Sequence, residues 1–434
     1  MVSSVYQKRR ELVARTLGSS LAVLATAPER QRNRDSNFPY RFDSTFYYLT
    51  GFEEPEAVLV IIGGEVPQSV LFCREKNLER EIWDGLRYGP DAAQIEFGFD
   101  AAWPIDLLDQ KMAEFVSQVE SIYAPWGEFP EWDARIIGWV NELRSKSRSG
   151  IKVPGMLCDL RQLTDEMRLI KDESEMVLMR KAADISADAH RRAMTNTRPG
   201  RMEFEISAEI SYEFARQGSQ SAAYNSIVAG GSNACILHYV SNNALLHAGD
   251  LLLIDAGCEY GGYAADITRT FPVNGCFEGA GKAVYEIVLE AQLAAIEAVS
   301  PGRSFNDPHE TALKILTRGL VDLGLLKGNV DDLVEAGEYR RFYMHRTSHW
   351  LGLDVHDVGG YKCGDEWRIL LPDMVLTIEP GLYIRPSDDI SPEFWNIGIR
   401  IEDDVRVASN GYEVLTANAP KSILEIEALM ANYD

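Results

Sequence analysis

Residues 251–273 read LLLIDAGCEYGGYAADITRTFPV, and this stretch decides how the second half of the chain is interpreted. Two apolar runs alternate as strands do and are joined by glycines that tolerate positive φ, which predicts a β-hairpin. Each run carries an aspartate, Asp255 and Asp266, where a hydrophobic residue is expected. A turn centred between Tyr260 and Gly261 would place the two carboxylates opposite one another, about 5 Å apart at Cβ. Because buried like charges repel, the hairpin predicts a cation between them.

The composition favours two folded domains and argues against several kinds of partner. A chain of 434 residues with 46% apolar residues exceeds what one hydrophobic core usually supports. Its net charge of −23 repels phosphate backbones and anionic lipid, so we expect neither a nucleic acid nor a membrane as partner. No apolar run is long enough to span a membrane. Six scattered cysteines without a Cys-x-x-Cys spacing indicate no zinc knuckle or disulfide scaffold, and they favour a cytoplasmic location.

The order of patterns along the chain predicts where the two domains lie. Residues 1–165 mix apolar strands such as EAVLVIIGG with helical stretches, as in an α/β layer domain, and LAVLATA at 21–27 is interpreted as its first strand rather than as a secretory signal. Residues 166–434 begin with a long helix that Asp172 and Glu175 would cap. An α-α-β-β unit then occurs twice. The predicted elements are helices at about 173–197 and 202–217 before strands within 222–273, and helices at about 279–299 and 307–323 before strands within 341–408.

The second α-α-β-β unit, like the hairpin, carries acidic residues within predicted apolar strands. VLTIEPGLYI places Glu379 in a predicted strand. In IGIRIEDD the isoleucines alternate on one face of a predicted strand, and Arg400 and Glu402 lie on the opposite face. Between the hairpin and these strands lies MHRTSHWLGLDVHDVG, with three of the seven histidines: His345, His349 and His356. Four acids with a histidine form a mainly hard ligand set, which suits Mn²⁺, Co²⁺, Fe²⁺ or Zn²⁺. Two ions bridged by carboxylates and a hydroxide balance the charge of four acids better than one ion does.

Other histidine patterns are less informative. His345 and His349 have the His-x-x-x-His spacing of a zincin, but Arg346 stands where the general-base glutamate is required. His238 ends a predicted apolar strand just before the aspartate hairpin, and a role in the site is favoured over a place in the core. The remaining three histidines are expected to face solvent on helices or turns: His190, His247 and His309.

Several of these segments together resemble a known family. ILHY, LIDAGCEYGGYAADITRTFPVNG, MHRTSHWLGLDVHDVG, MVLTIEPGLYI and IGIRIEDD resemble the bacterial aminopeptidase P branch of the pita-bread metallopeptidases. The likeness extends into the first half through YRFDSTFYYLTGFEEPEAVLV and EIWDGLRYG. It implies an α/β architecture: a creatinase-like N-terminal domain at 1–165, then a pita-bread catalytic domain at 166–434 with pseudo-two-fold symmetry.

The resemblance also implies the composition of a site. The two divalent ions of the family, usually Mn²⁺, map onto five ligands: Asp255, Asp266, His349, Glu379 and Glu402. Asp266 and Glu402 would bridge both ions, and Glu379 would also move a proton. The substrate-site histidines of the family map onto His238, His345 and His356.

The implied reaction is removal of the first residue from a peptide whose second residue is proline, by attack of the bridging hydroxide. Arg400 would orient Glu402, and Tyr224 and Trp83 would flank the substrate. Arg346 departs from the pattern, since the family generally has a small residue there; its guanidinium is expected to change the margin of the pocket. The family's bacterial members are commonly tetramers, so a homo-oligomer, tetramer or dimer, is expected.

Three alternatives share the same fold. A prolidase would use the same metals but accept only dipeptides, and the site residues alone do not separate it from an aminopeptidase P. A creatinase-type enzyme works without metal, and the complete ligand set argues against it. A non-enzymatic binding module would be expected to have lost ligands.

Overall fold

The computed structural model describes residues 3–146, 148 and 150–431. The chain divides into two compact units, Met1–Glu166 and Met167–Asp434. Among the described helices, none is both long and apolar enough to cross a membrane.

The first unit is built around one mixed sheet. Its elements in chain order are α1 Ser3–Leu17, β1 Leu21–Ala25, α2 Ser44–Thr50, β2 Val58–Ile62, β3 Gln68–Cys73, α3 Leu78–Asp84, α4 Gly89–Phe97, β4 Ala101–Pro104, α5 Leu108–Val116, β5 Ser121–Ala124, α6 Pro130–Ser145 and β6 Met156–Asp159. Helix α7, Arg161–Leu169, begins in this unit and ends in the second. The strand order is β4-β3-β2-β1-β5-β6, antiparallel across β3, β2 and β1 and parallel in the outer pairs. β1 is LAVLA, as predicted, and all five of its residues are buried, which is typical of a strand covered on both faces.

The second unit contains the predicted α-α-β-β order twice. The first occurrence comprises α8 Glu173–Asn196, α9 Glu203–Arg216, β7 Ser221–Ala222, β8 Ile227–Gly230, β9 Leu251–Asp255, β10 Cys258–Tyr260, β11 Tyr263–Ala264 and β12 Thr268–Pro272. The second comprises α10 Gly279–Glu297, α11 Asp307–Asp322, α12 Val330–Ala336, β13 Lys362–Cys363, β14 Glu366–Trp367, β15 Val375–Ile378, β16 Gly381–Ile384, β17 Ile397–Arg400, β18 Asp403–Ala408 and β19 Gly411–Val414, and α13 Ile423–Ala431 follows. Helix α12 is an addition that the sequence pattern did not predict.

Local sequence explains how the first of these helices begins. The Asp172 carboxylate accepts hydrogen bonds from the backbone N–H groups of Ser174 and Glu175, and the Glu175 carboxylate accepts one from the Asp172 N–H. This reciprocal capping box satisfies donors that an uncapped helix would leave exposed. The predicted start of α8 is confirmed.

Each repeat contributes an antiparallel three-stranded sheet, and the two sheets meet at the site. The orders are β12-β9-β8 in the first repeat and β15-β18-β19 in the second. An isolated antiparallel bridge joins Thr268 at the start of β12 to Glu402, and the Glu402 N–H donates to the Thr268 carbonyl at 3.0 Å. Acidic residues from the two repeats are thereby brought side by side.

The 251–273 segment forms a hairpin, but the predicted register is wrong. Both glycines of YGGY adopt positive φ, 57° and 83°, so the turn consists of these two residues. Asp255 therefore pairs with Thr268 rather than with Asp266. Because Asp266 precedes Thr268 by two residues, it lies on the same face and is a diagonal neighbour of Asp255.

Candidate functional site

Four acids reach one cavity of about 750 Å³ in the second unit, each from a position at or near the end of a strand. Asp255 ends β9, and Asp266 lies in the irregular residues between β11 and β12. Glu379 directly follows β15, one residue beyond the strand in which it was expected, and Glu402 lies between β17 and β18. Since the strand ladders stop at these positions, the side chains can converge.

His349 enters the acidic cluster from the segment between α12 and β13. Its Nε2 lies 3.5 Å from Asp266 Oδ2 and 3.7 Å from Glu379 Oε1. Its Nδ1 is 2.9 Å from the Trp350 carbonyl oxygen, to which it donates a hydrogen bond, so Nε2 is the ring nitrogen that faces the carboxylates. Ligand atoms of Asp266, His349 and Glu402 all lie within 4.8 Å of one another.

Neutral and cationic side chains orient these carboxylates. The Tyr224 hydroxyl lies 2.6 Å from Asp255 Oδ1 and 2.5 Å from Asp266 Oδ1. Arg400 donates from Nη2 to Asp255 Oδ2 at 2.6 Å. The Thr268 hydroxyl donates to Glu402 Oε2, also at 2.6 Å. One hydroxyl hydrogen cannot serve both aspartates at once, so Tyr224 leaves negative charge between them uncompensated.

The electrostatics of the cluster call for additional positive charge. Burial raises the pKa of Glu379 to about 7, and burial together with the neighbouring Asp266 raises the pKa of Glu402 well above its ordinary value. The pKa of Asp255 is also raised, because burial outweighs the attraction of Arg400. His349 shows the converse: burial alone would lower its pKa, but Asp266 and Glu379 raise it to about 9. With all four carboxylates ionised, the cluster would hold more negative charge than Arg400 and His349 neutralise.

This donor set fits divalent metal ions. Carboxylate oxygens and one imidazole nitrogen are ligands for hard or borderline cations, and the buried excess of negative charge is what such ions compensate. The five side chains that could hold them line the same cavity: Asp255, Asp266, His349, Glu379 and Glu402.

The three histidines expected near a substrate also line this cavity, but their surroundings differ. His345 has both ring nitrogens engaged: Nδ1 is 2.8 Å from the Arg346 carbonyl oxygen, and Nε2 is 2.8 Å from the Tyr383 hydroxyl. His356 is exposed, with its ring 4.3 Å from that of His349 and nearly perpendicular to it. Burial and the neighbouring His349 lower the pKa of His356, which favours a neutral ring.

His238 lies in a turn, and the prediction that it ends a strand is wrong. A 3₁₀ turn over Gly231–Cys235 interrupts the apolar run, and His238 follows it as an exposed residue. The buried Glu203 carboxylate holds this segment, since it accepts hydrogen bonds from the N–H groups of Gly230 and Ala244 and from the Tyr239 hydroxyl, each at 2.8 Å. A carboxylate with this many donors is satisfied without a cation.

Two of the three remaining histidine predictions are also wrong. His190 is fully buried on α8, with Nε2 3.0 Å from the Ala256 carbonyl oxygen. His309 is buried on α11, with Nδ1 2.8 Å from the Thr347 hydroxyl. Burial lowers the pKa of each to about 4. His247 is exposed, as expected.

The other predicted site residues are placed as follows. Arg400 has Asp255 as its direct carboxylate partner and reaches Glu402 only through the Thr268 hydroxyl, 3.0 Å from its Nε. The Tyr224 hydroxyl contacts both aspartates, and contact of its ring with substrate stays a prediction. Arg346 lines the cavity. Trp83 belongs to the first unit, where its side chain is 83% exposed, and its contact with substrate stays a prediction.

Several residues of the site were missed by sequence reasoning. Thr268 shares a face with Asp266 two residues earlier, so the strand period contained the signal. Tyr383 links Arg400, 2.9 Å away, to His345, and nothing local to its sequence indicates that role. The hairpin of β13 and β14 contributes Lys362 and Trp367 to the cavity through tertiary contact alone.

The paired α-α-β-β repeats and the buried, oxygen-rich ligand set define the class of protein as a metal-dependent hydrolase of the pita-bread type. The chain belongs to metallopeptidase family M24, whose family model matches residues 177–409. The aminopeptidase P N-terminal domain matches residues 6–123.

Known relatives agree along almost the whole chain. The Xaa-Pro aminopeptidase of Escherichia coli K12 is 46% identical over 428 residues, which cover 98% of this chain and 97% of the relative. The structure of aminopeptidase PepP from Pseudomonas aeruginosa matches with a TM-score of 0.97 and 50% identity, covering 99% of this chain and 98% of that one. Aminopeptidase P from E. coli with the inhibitor Pro-Leu matches with a TM-score of 0.96 at 45% identity, covering 99% and 98% of the two chains.

Proposed function

We propose that this chain is an Xaa-Pro aminopeptidase, which releases the first residue of a peptide whose second residue is proline. The observation that carries the proposal is the convergence, in one cavity, of five metal-ligand side chains and three histidines. Identity of 46% with the Xaa-Pro aminopeptidase of E. coli over nearly the full length supports the same activity.

We propose that the five-residue ligand set would hold two divalent ions, with Mn²⁺ as the native metal, and that Asp266 and Glu402 would be shared between them. When bound, such ions lower the pKa of a coordinated water toward about 7 and polarise the scissile carbonyl. The tautomer of His349, set by its hydrogen bond to the Trp350 carbonyl, holds the ligand nitrogen ready for the metal.

The protein's own groups supply proton transfer and orientation. Glu379 accepts the proton of the attacking water and delivers it to the proline nitrogen, since its carboxylate lines the cavity beside the other assigned ligands. His356 and His238, both exposed to the cavity, donate hydrogen bonds to the oxygen of the scissile carbonyl as negative charge develops there. His345 acts indirectly, because its hydrogen bond to Tyr383 belongs to a chain that continues through Arg400 to Asp255.

A comparison of four peptides tests the proposed reaction: Xaa-Pro, Xaa-Pro-Yaa, Xaa-Ala-Yaa and N-acetylated Xaa-Pro-Yaa, each supplied with Mn²⁺. Because proline has no N–H and a fixed φ, a site adapted to it should prefer Xaa-Pro-Yaa over the alanine analogue. The acetylated peptide should not be cleaved if the free amine is recognised. Exclusive cleavage of the dipeptide would move the assignment to prolidase, and indifference to proline would contradict both.

We also propose that the protein is a cytoplasmic homo-oligomer, either a tetramer or a dimer. Helix α3 and the residues beside it expose four large apolar side chains to at least 73%: Leu78, Ile82, Trp83 and Leu86. A second copy of the chain would remove this apolar surface from water. Sedimentation should give a mass above 48.6 kDa that falls on Ile82→Glu but not on Leu424→Glu, a change at a residue of the same 80% exposure on α13.

The six free cysteines support the proposal of a reducing compartment such as the cytoplasm.

A further inference from the structure

One part of the cavity lining is cationic and aromatic rather than acidic. Arg346, Lys362 and Trp367 line the same cavity as the metal-ligand set, and we call these three residues the cation–indole wall. The guanidinium carbon of Arg346 lies 4.7 Å from the centre of the Trp367 ring, and Lys362 Nζ lies 4.6 Å from it. Lys362 and Trp367 are cross-strand partners in the hairpin of β13 and β14. The indole ring therefore contacts both cations.

The two cations of the wall have no acidic partner in contact. Within the part of the chain that the structure describes, no carboxylate oxygen lies within 4 Å of either charged group. Arg346 instead donates from Nη2 to the Asn306 side-chain oxygen, and the Asn306 amide in turn donates to Glu310 at 2.7 Å. A guanidinium has five N–H donors, so this single bond orients Arg346 while leaving donors available.

Charge in the cavity is thus distributed unevenly. A bound peptide whose amine lies among the carboxylates meets four acids of the ligand set, whereas the wall offers two positive groups. Complementary potentials of this kind select ligands by charge more than they add to overall affinity. Arg346 and Lys362 are both exposed, so they lie on the solvent side of the cavity.

We propose that the cation–indole wall is a subsite for a carboxylate carried by the residue that follows the proline of the substrate. This inference rests on the proposed function and adds to it a preference for one chemical class of peptide. The carboxylate can come from an acidic side chain at that position or from the free C-terminus of a tripeptide. Arg346 and Lys362 would each donate to it, with Trp367 restricting both side chains to the required geometry.

Steady-state kinetics with three matched peptides tests the subsite: Ala-Pro-Glu-amide, Ala-Pro-Gln-amide and Ala-Pro-Gln with a free C-terminus. We expect kcat/KM for either charged peptide to exceed that for the neutral amide, chiefly through KM. The ratio of kcat/KM for a charged peptide to kcat/KM for the neutral amide should fall about two- to fivefold in Arg346→Gln and in Lys362→Gln, as for partly exposed ion pairs. It should fall further in the double variant. Arg346→Lys should retain part of the preference, and added salt should weaken it.

Lys314→Gln provides the matched control, because it removes one exposed positive charge from α11 in the same unit. This variant should keep the wild-type ratio. Preference for the glutamate peptide alone would assign the subsite to acidic side chains, and preference for the free C-terminus alone would assign it to short peptides. Equal kcat/KM for all three peptides, or a preference that the double variant retains, would overturn this inference and leave the proposed function intact. Failure to cleave any of the three would overturn both.

Discussion

Three consecutive acids illustrate how residues of one type acquire different tasks. Glu402 faces the metal-ligand cavity. Asp403 forms a fully buried ion pair with Arg269, whose 2.7 Å contact helps to outweigh burial and lower the pKa of Asp403 to about 2. Asp404 accepts the backbone N–H of Asp266 at 3.1 Å. The sequence EDD shows three equivalent acids, and packing alone separates ligand, core ion pair and backbone anchor.

Replacement of Asp266 tests the ligand assignment. Asp266→Ala removes the carboxylate that lies nearest His349 among the assigned ligands and that we assign to both ions, so we expect metal content to fall below two ions per chain and turnover to fall to background. Elemental analysis and peptide hydrolysis measure the two effects. Asp388→Ala removes an exposed carboxylate and should change neither. Near-normal turnover in Asp266→Ala would refute the assignment.

The buried His190 should make stability depend on pH. Its folded-state pKa of about 4 lies below the ordinary value of 6.5, so protons bind more tightly to the unfolded chain. The stabilisation is complete above pH 6.5 and is lost as the pH falls through 4, by about 3 kcal/mol in all. His190→Gln should therefore show a shallower fall of the unfolding temperature between pH 7 and pH 4.5. His247→Gln, at an exposed site, should match the wild type; an equally steep fall in His190→Gln would contradict the expectation.

At the scale of elements, the hairpin between β9 and β12 shows why a glycine is needed beside the site. A Cβ added to Gly257 would lie 1.7 Å from the Ala265 carbonyl oxygen, a backbone atom that cannot move aside alone. The two chain segments therefore approach each other only because residue 257 has no side chain. This close approach sets the position of Asp266, which directly follows Ala265.

We therefore expect Gly257→Ala to force the segments apart. The unfolding temperature should fall by several degrees, since backbone clashes belong to the strongly destabilising class of substitutions, and metal affinity should fall with it. Gly138→Ala is the control: its added Cβ would meet nothing within 4 Å in the middle of α6, and it should stabilise the protein by about 0.5–1 kcal/mol. Thermal unfolding and elemental analysis check both variants. Full metal content in Gly257→Ala would show that Asp266 does not depend on this contact.

At the scale of the whole molecule, metal binding should be coupled to stability. The raised pKa values of Asp255, Glu379 and Glu402 reflect negative charge that burial and mutual repulsion make costly. A chelator should therefore lower the unfolding temperature and abolish activity, and Mn²⁺ should restore both. A ligand at one hundred times its dissociation constant adds about 2.7 kcal/mol to the free energy of unfolding. An unfolding temperature that neither the chelator nor Mn²⁺ changes would argue against a buried metal centre.

The order of elements followed from the sequence because its signals are local. The capping box at Asp172 and Glu175 predicted where α8 begins, and the 3.6- and two-residue periods predicted the repeated α-α-β-β order. The composition of the candidate site followed from strand-borne acids and from the family resemblance, and the structure brings all five assigned ligands to one cavity.

Tertiary structure decided whatever depends on residues distant in sequence. Arg400 donates a hydrogen bond to Asp255, which lies 145 residues earlier in the chain. No local pattern indicates that Arg400 pairs with Asp255 and not with the nearby Glu402. The burial of His190 and His309 depends on which helix face packs inward, and the cation–indole wall exists only where a hairpin meets a separate loop. A sequence encodes the periodicity of an element through its immediate neighbours, whereas the partners of a side chain depend on how the elements pack. The physical reason is that propensity and capping act over a few residues, while burial and ion pairing act over distances in space.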